Sequence, residues 1–265
     1  MNLEQITQQA GILAKQVGAF IQQEAQHFDQ NTVEVKSFNQ LVSYVDKSAE
    51  EQLVKGLQEI LPEAGFITEE QTITTAQKEY MWVIDPLDGT TNFIHQLPIY
   101  SVSIGLLKNN VPIIGVVYEP NRDELFYAWQ GGGAFLNGKK IHVKQNKELG
   151  KALLATGFPY YDFDLMPKYL NTLQHFLKIS QGMRRMGSAA VDLAYVACGR
   201  FDGFFEYGLS PWDVAGGIVL VQEAGGKTST FTGDNDAIFG KEVVAASTAI
   251  YPEFIAVIQS GFNIG

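Results

Sequence analysis

The sequence predicts an α+β first half followed by a smaller α/β half. Three patterns predict it: two amphipathic helices at the start, a run of strand signals with tight turns to about residue 145, and alternation of strand and helix after Gly150. In the first helix Ile6, Ala10, Leu13, Val17 and Ile21 recur at helical spacing with polar residues between them. In the second, Val45, Ala49, Leu53, Leu57 and Ile60 share one face. Ser43 reads as its N-cap, with Asp46 three residues on in a capping-box arrangement, and Pro62 closes it.

Strand signals follow at 81–84, 101–107, 113–118, 124–128 and 141–143, with Asn109-Asn110 and 120–123 as turns between them. Consecutive strands joined by tight turns form an antiparallel sheet. Gly131-Gly132-Gly133 reads as a further turn. Beyond Gly150, strands are expected at 153–156, 204–207 and 243–246, and helices at 165–179, 188–198, 212–224 and 251–258. No repeat, low-complexity tract or flexible linker separates the halves. They are expected to pack on one another as 1–145 and 146–265, the first carrying most of the candidate metal ligands.

A chain of 265 residues with 46% apolar and 18% charged side chains can bury a sizeable core. Its 29 acids against 19 Lys and Arg, a net charge of −10, argue against general nucleic-acid binding, which needs a basic footprint. One cysteine, Cys198, excludes an intramolecular disulfide and fits a reducing compartment. The start of the chain has no basic region followed by an apolar run, and no window is long and apolar enough to span a bilayer. A cytoplasmic protein without membrane partners is the expectation.

The chemistry concentrates in Asp85-Pro86-Leu87-Asp88-Gly89-Thr90. Asp85 ends the apolar run 81–84, and Pro86 cannot continue it as a ladder donor. Asp88-Gly89 is turn chemistry, and Thr90-Thr91 can open a helix. Two carboxylates are thereby crowded at a strand end, beside N–H groups that can face a phosphate. Crowded carboxylates repel unless a cation or proton lies between them, and hard oxygen ligands suit Mg²⁺. Asp-Gly alone would be an ordinary capped turn. Two further acidic segments accompany it: Glu69-Glu70 after the run 66–68, and Asp213 in Ser210-Pro211-Trp212-Asp213, an N-cap, Pro and first-turn acid. Each has a bland reading, as solvated acids and as a helix-dipole partner, so the case rests on the three together. Cys198 reads as an inert buried thiol, and the four histidines match no metal spacing. With no protein nucleophile in view, a metal-activated water is the simplest choice.

Asp85-Pro86-Leu87-Asp88-Gly89-Thr90-Thr91-Asn92-Phe93 together with Trp212-Asp213-Val214-Ala215-Gly216-Gly217 resembles the signature pair of the inositol monophosphatase family. The resemblance extends over nearly the whole chain, through Glu69-Glu70, Gly187-Ser188-Ala189-Ala190 and Phe204-Phe205-Glu206. It implies a five-layer αβαβα sandwich of the sugar-phosphatase type. It also implies a lithium-sensitive phosphoric monoester hydrolase using two or three Mg²⁺ ions per site, and a twofold homodimer. Inositol 1-phosphate is the implied substrate. Fructose 1,6-bisphosphate, 3′-phosphoadenosine nucleotides, histidinol phosphate and NADP are the alternatives, and a regulatory binding module is the non-enzymatic one.

By position, the resemblance makes Glu69, Asp85, the Leu87 carbonyl, Asp88 and Asp213 metal ligands, and Asp46 an acid near a third, weaker site. Thr90 would pair with Glu69 to orient the attacking water, and Asp88 belongs to the same catalytic set. Gly89 and Thr90 would offer N–H groups to the phosphate. Glu206 and the turn Gly187, Ser188, Ala189 would meet the substrate in the pocket that Leu87, Asp88 and Asp213 also line. Thr68 departs from the family's usual Gly before the Glu pair, and its side chain is expected to narrow the approach or shift the loop.

Overall fold

The structure is a computed structural model that describes residues 1–28, 34–37, 40–159 and 163–264. Seven α-helices and three sheets are formed among them. Helix α1 (Leu3–Ala25) starts at Asn2, whose side chain accepts from the Gln5 N–H. A two-stranded ribbon, β1 (Glu34–Ser37) and β2 (Gln40–Val42), leads into α2 (Tyr44–Ile60). The capping box expected at Ser43 and Asp46 is present.

The large sheet has seven strands in sequential order: β3 (Gly65–Thr68), β4 (Tyr80–Asp88), β5 (Ser101–Lys108), β6 (Val111–Glu119), β7 (Glu124–Trp129), β8 (Gly133–Leu136) and β9 (Lys139–Ile141). It is antiparallel except at its edge, where β3 runs parallel to β4. Strand β4 does not stop at Asp85 as the sequence suggests. It continues through Pro86 to Asp88, and its register against β5 slips between Asp85 and Asp88. A proline with no N–H is accommodated at such a bulge, and the bulge turns neighbouring side chains to new directions. The expected strand at 141–143 lies two residues earlier, as β9, and Gly133 opens β8 instead of ending a turn. The short helix α3 (Thr90–Ile94) follows β4 directly.

The second sheet has the order β11 (Gly182–Arg184), β10 (Leu153–Thr156), β12 (Gly203–Tyr207), β14 (Glu242–Ser247), β13 (Gly226–Ser229). The first three run parallel, and β14 and β13 complete it in antiparallel fashion. Its helices are α4 (Met166–Ile179), α5 (Ala189–Ala197), α6 (Pro211–Glu223) and α7 (Tyr251–Phe262).

Alternation along the strands stacks these elements into five layers. Trp82 and Ile84 face a core shared with Val17 and Ile21 of α1 and Leu53 and Leu57 of α2. Met81 and Val83 face the opposite way, into a central core with α5, α6 and the inner face of the second sheet, represented by Phe204 and Ala245. Phe205 and Val244 point outward to α4 and α7 through Phe176 and Phe254. The αβαβα sandwich implied by the motifs is the architecture observed. No helix among the described residues is long and apolar enough to cross a membrane.

Helix α6 lies unusually close to the large sheet, and glycines make room for it. Gly105 and Gly115 are cross-strand partners on β5 and β6. A Cβ added to Gly115 would meet the Gly216 carbonyl oxygen at 2.1 Å and Val219 Cβ at 2.9 Å. Because the nearest atom is backbone, α6 itself must move. Gly115→Ala is expected to destabilise the protein by about 2–3 kcal/mol, read as a lower urea midpoint at unchanged m. An unchanged midpoint would refute this account of the helix–sheet contact.

Candidate active site

The ends of β3 and β4, the start of α5, the end of β12 and the start of α6 meet around a pocket of about 440 Å³. Glu69, Asp85, Leu87, Asp88, Gly89, Thr90, Gly187, Ser188, Ala189, Glu206 and Asp213 all line it. Segments separated by more than a hundred residues are therefore brought to one place. Thr68 is not in the lining: it is the last residue of β3 and is buried. Its side chain does not narrow the approach.

Local chemistry sets the position of each acid. The Leu87 N–H donates to Asp85 Oδ1 at 2.9 Å across the bulge. Asp88 Oδ2 accepts from Ser188 Oγ at 2.6 Å and from the Ala190 N–H at 2.7 Å, so this carboxylate caps α5 from the other half of the chain. Asp213 accepts from the Ser210 N–H at 2.7 Å in the first turn of α6. Gly89 sits at φ 100°, a left-handed conformation that turns β4 sharply into α3.

Asp46 lies behind Thr90. Its Oδ2 accepts from the Ser43 N–H (2.9 Å) and Ser43 Oγ (2.6 Å), and its Oδ1 is 3.0 Å from Thr90 Oγ1. The Thr90 hydroxyl also lies 3.1 Å from the Leu87 carbonyl oxygen. The acid it faces is thus Asp46, where the sequence reading paired it with Glu69. The Glu69 pairing was what the family resemblance implied; Asp46 is the direct partner here because the capping box on α2 aims it inward and α2 packs against β4.

Electrostatics are set by burial. Asp85, 2% exposed, is pushed well above the ordinary carboxylate range, first by desolvation and then by the charges of Glu69, Asp88 and Asp213. Asp213 moves the same way through desolvation and Asp88. Desolvation raises Asp88 to about 6 against the opposing bonds from Ser188 and Ala190, and raises Glu206 to about 8 against the opposing charge of Arg185.

The pocket also contains residues that sequence reasoning did not select. Asp192 is buried on α5, its carboxyl raised by desolvation and by Glu206 and Asp88. Gly157, Gln71 and the segment Tyr207 to Leu209 complete the wall. Asp192 lies one helical turn past Ser188, and that spacing was the available signal. Arg185 also lines the pocket, with its guanidinium 5.4 Å from the centroid of the Phe158 ring.

Six of the lining residues are acids, and Arg185 is the one base among them. Among the described residues no three acidic, histidine or cysteine side chains are drawn into a closed chelating cluster. Asp88 and Asp213 are turned instead toward the hydroxyl and N–H donors named above. The donor set is carboxylate and peptide oxygen, with no imidazole or thiol in the lining, and it fits Mg²⁺. Cys198 is half-buried away from the pocket, and burial pushes its thiol up, as an inert cysteine should be.

The sequence profile of the inositol monophosphatase family matches residues 2–261. The chain belongs to this family. Among similar proteins, the putative Nus factor SuhB of Neisseria meningitidis serogroup B is 41% identical over 248 residues, covering 93% of this chain and 95% of that protein. Among solved structures, the extragenic suppressor protein suhB of Bartonella henselae superposes with a TM-score of 0.90 at 35% identity, over 98% of this chain and 100% of that one. The inositol monophosphatase of Anabaena (Nostoc) gives 0.85 at 36% identity, over 98% and 97%. The family match spans both halves of the chain and therefore every segment that lines the pocket.

Proposed function

We propose that the protein is a Mg²⁺-dependent phosphatase for a small phosphorylated polyol, with inositol 1-phosphate as its first candidate substrate. The observation that carries this reading is six carboxylic acids around one pocket with a single guanidinium. A phosphate ester would be repelled there unless cations accompany it. Glu69, Asp85, Asp88, Asp213 and the Leu87 carbonyl would hold the ions; Asp46, with both oxygens engaged by Ser43 and Thr90, would lie near a third without holding it. Bound there, Mg²⁺ supplies charge to the phosphate oxygens and acidifies water.

The chain's own groups have the remaining tasks. With its hydrogen directed at Asp46 Oδ1, the Thr90 oxygen presents lone pairs to an attacking water. The water's proton passes to Thr90 Oγ1 as Thr90's own passes to Asp46 Oδ1. The Gly89 and Thr90 N–H groups would face the phosphate. Helix α3 is one turn long, so these N–H groups matter here more than any helix dipole. The longer α6, opening at the pocket, adds positive potential on the leaving side. Glu206, with its carboxyl pushed up to about 8, can donate to or accept from a substrate hydroxyl near neutral pH.

The test is turnover of inositol 1-phosphate, fructose 1,6-bisphosphate, a 3′,5′-bisphosphonucleotide, histidinol phosphate and NADP, in Mg²⁺ and in chelator. Inositol 1-phosphate is expected to be hydrolysed fastest, and only with Mg²⁺. Absence of phosphate release from all five would overturn the reading. A second reading, a regulatory binding module, takes support from the relative named a Nus factor. A stoichiometric partner recovered by an inactive protein would favour it. A twofold homodimer and a cytoplasmic location complete the proposal.

A further inference from the structure

We propose that Glu50 is a positioning residue that holds the Glu69 loop in its metal-ligating place; this rests on the reading of Glu69 as a ligand. Glu50 is 0% exposed. It lies on α2 four residues after Asp46, so both acids project from the same face of the helix. Among the described residues, the hydrogen bonds that reach Glu50 come from the loop following β3. Its Oε2 accepts from the Glu70 N–H at 2.7 Å, and its Oε1 from the Thr72 N–H and Thr72 Oγ1, both at 2.8 Å.

Between those two amides, Gln71 is left-handed at φ 55°. In that conformation N–H groups on either side of the residue turn toward one another and form a concavity that favours an anion. Glu50 supplies the anion from within the chain. The dependence is mutual: a buried carboxylate needs these donors, and a non-glycine residue at positive φ needs something to hold it. The residues flanking the clamped amide at 70 are the ones that matter for the site, since Glu69 and Gln71 both line the pocket. Asp46 meets Thr90 at the end of β4 while Glu50 grips the loop after β3. One turn of α2 thus fixes the two strand ends relative to each other.

Glu50→Gln tests this. It keeps the volume but sets an amide –NH₂ against a backbone N–H. Mn²⁺ is titrated calorimetrically without substrate, and hydrogen exchange is followed at Glu70 and Thr72. Mn²⁺ binding is expected to weaken about 10–100-fold, as for partners that orient metal ligands. The two amides are expected to exchange faster, with helix amides elsewhere unchanged. Thr72→Val removes one bond at an exposed position and leaves the carboxylate buried. It is expected to weaken Mn²⁺ binding about two- to tenfold, and it decides the matter if Glu50→Gln does not fold. Faster exchange with unchanged Mn²⁺ affinity overturns the proposal, as does unchanged exchange. Wild-type protein that binds no Mn²⁺ overturns the metal-site reading and the proposal with it.

Discussion

Asp88→Asn is expected to lower kcat/KM for the phosphate ester by at least about a thousandfold, ~4 kcal/mol of transition-state stabilisation, while leaving the fold in place. One Asp88 oxygen is committed to α5, accepting from Ser188 Oγ and the Ala190 N–H. An asparagine oxygen can accept the same two bonds, so the cap and the tie between the halves persist. What goes is the negative charge, and the –NH₂ group offers no lone pair to a cation. Because buried like charges repel, the variant should be at least as stable as the wild type in chelator. It should also lose most of the stabilisation that Mg²⁺ gives the wild type, since that stabilisation follows affinity for the folded state. Thermal unfolding with and without Mg²⁺, beside a turnover assay, reads all three outcomes. Near-normal Mg²⁺-dependent turnover would sink the assignment of Asp88.

The contrast between Asp88 and Asp192 shows what a sequence can disclose of such a site. Asp85, Asp88 and Asp213 drew attention because the sequence alone reads each as an acid placed by a local rule, after an apolar run, before a Gly and in a helix first turn; in the structure Asp85 lies within β4 and Asp88 ends it. Their company in a specific order then carries the inference. Asp192 lies inside a helix whose neighbours are nearly all apolar. Its importance depends on α5 being aimed at Glu206 and Asp88, which is a tertiary fact. Glu50 is similar: two of its three donors are backbone amides about twenty residues on, which leave no trace in residue identity, and the third is the Thr72 hydroxyl, which no local rule ties to it.

The fold follows the same division. Helices α2, α4, α5 and α6 were placed within two residues of their observed ends; α1 runs three residues before and four beyond the stripe Ile6 to Ile21, and α7 runs four residues further, through Phe262. The short strands β1, β2, β8, β11 and β13 were missed, because three or four residues show no period and are set by the neighbours they pair with. The run of β4 past Pro86 was missed for a different reason. A proline normally ends a ladder, and here a bulge between Asp85 and Asp88 absorbs it.

In chelator, the stability of the protein is expected to fall as pH rises from about 4 to about 8. Asp85, Asp88, Asp192, Glu206 and Asp213 all hold their protons more tightly in the folded chain than a free carboxyl does. The unfolded chain therefore releases protons first as pH climbs, and unfolding is favoured. Below the ordinary carboxylate range both states are protonated and the contribution is fully present. It is lost through about pH 6 for Asp88 and about pH 8 for Glu206. Glu206 alone, moved from 4.5 to about 8, corresponds to a loss on the order of 4 kcal/mol by pH 8. Surface acids such as Asp123, held low by Lys15, act in the opposite sense, but only below about pH 4. Saturating Mg²⁺ should flatten or reverse the slope, because ionised carboxylates are then the bound form. Urea unfolding at pH 5, 6.5 and 8, in chelator and in Mg²⁺, measures both profiles. A flat or rising profile in chelator would show that these acids are not buried together as described. Glu206→Gln isolates one contribution: it should make the slope shallower between about pH 4.5 and about pH 8, and leave in place what Asp85, Asp88, Asp192 and Asp213 contribute.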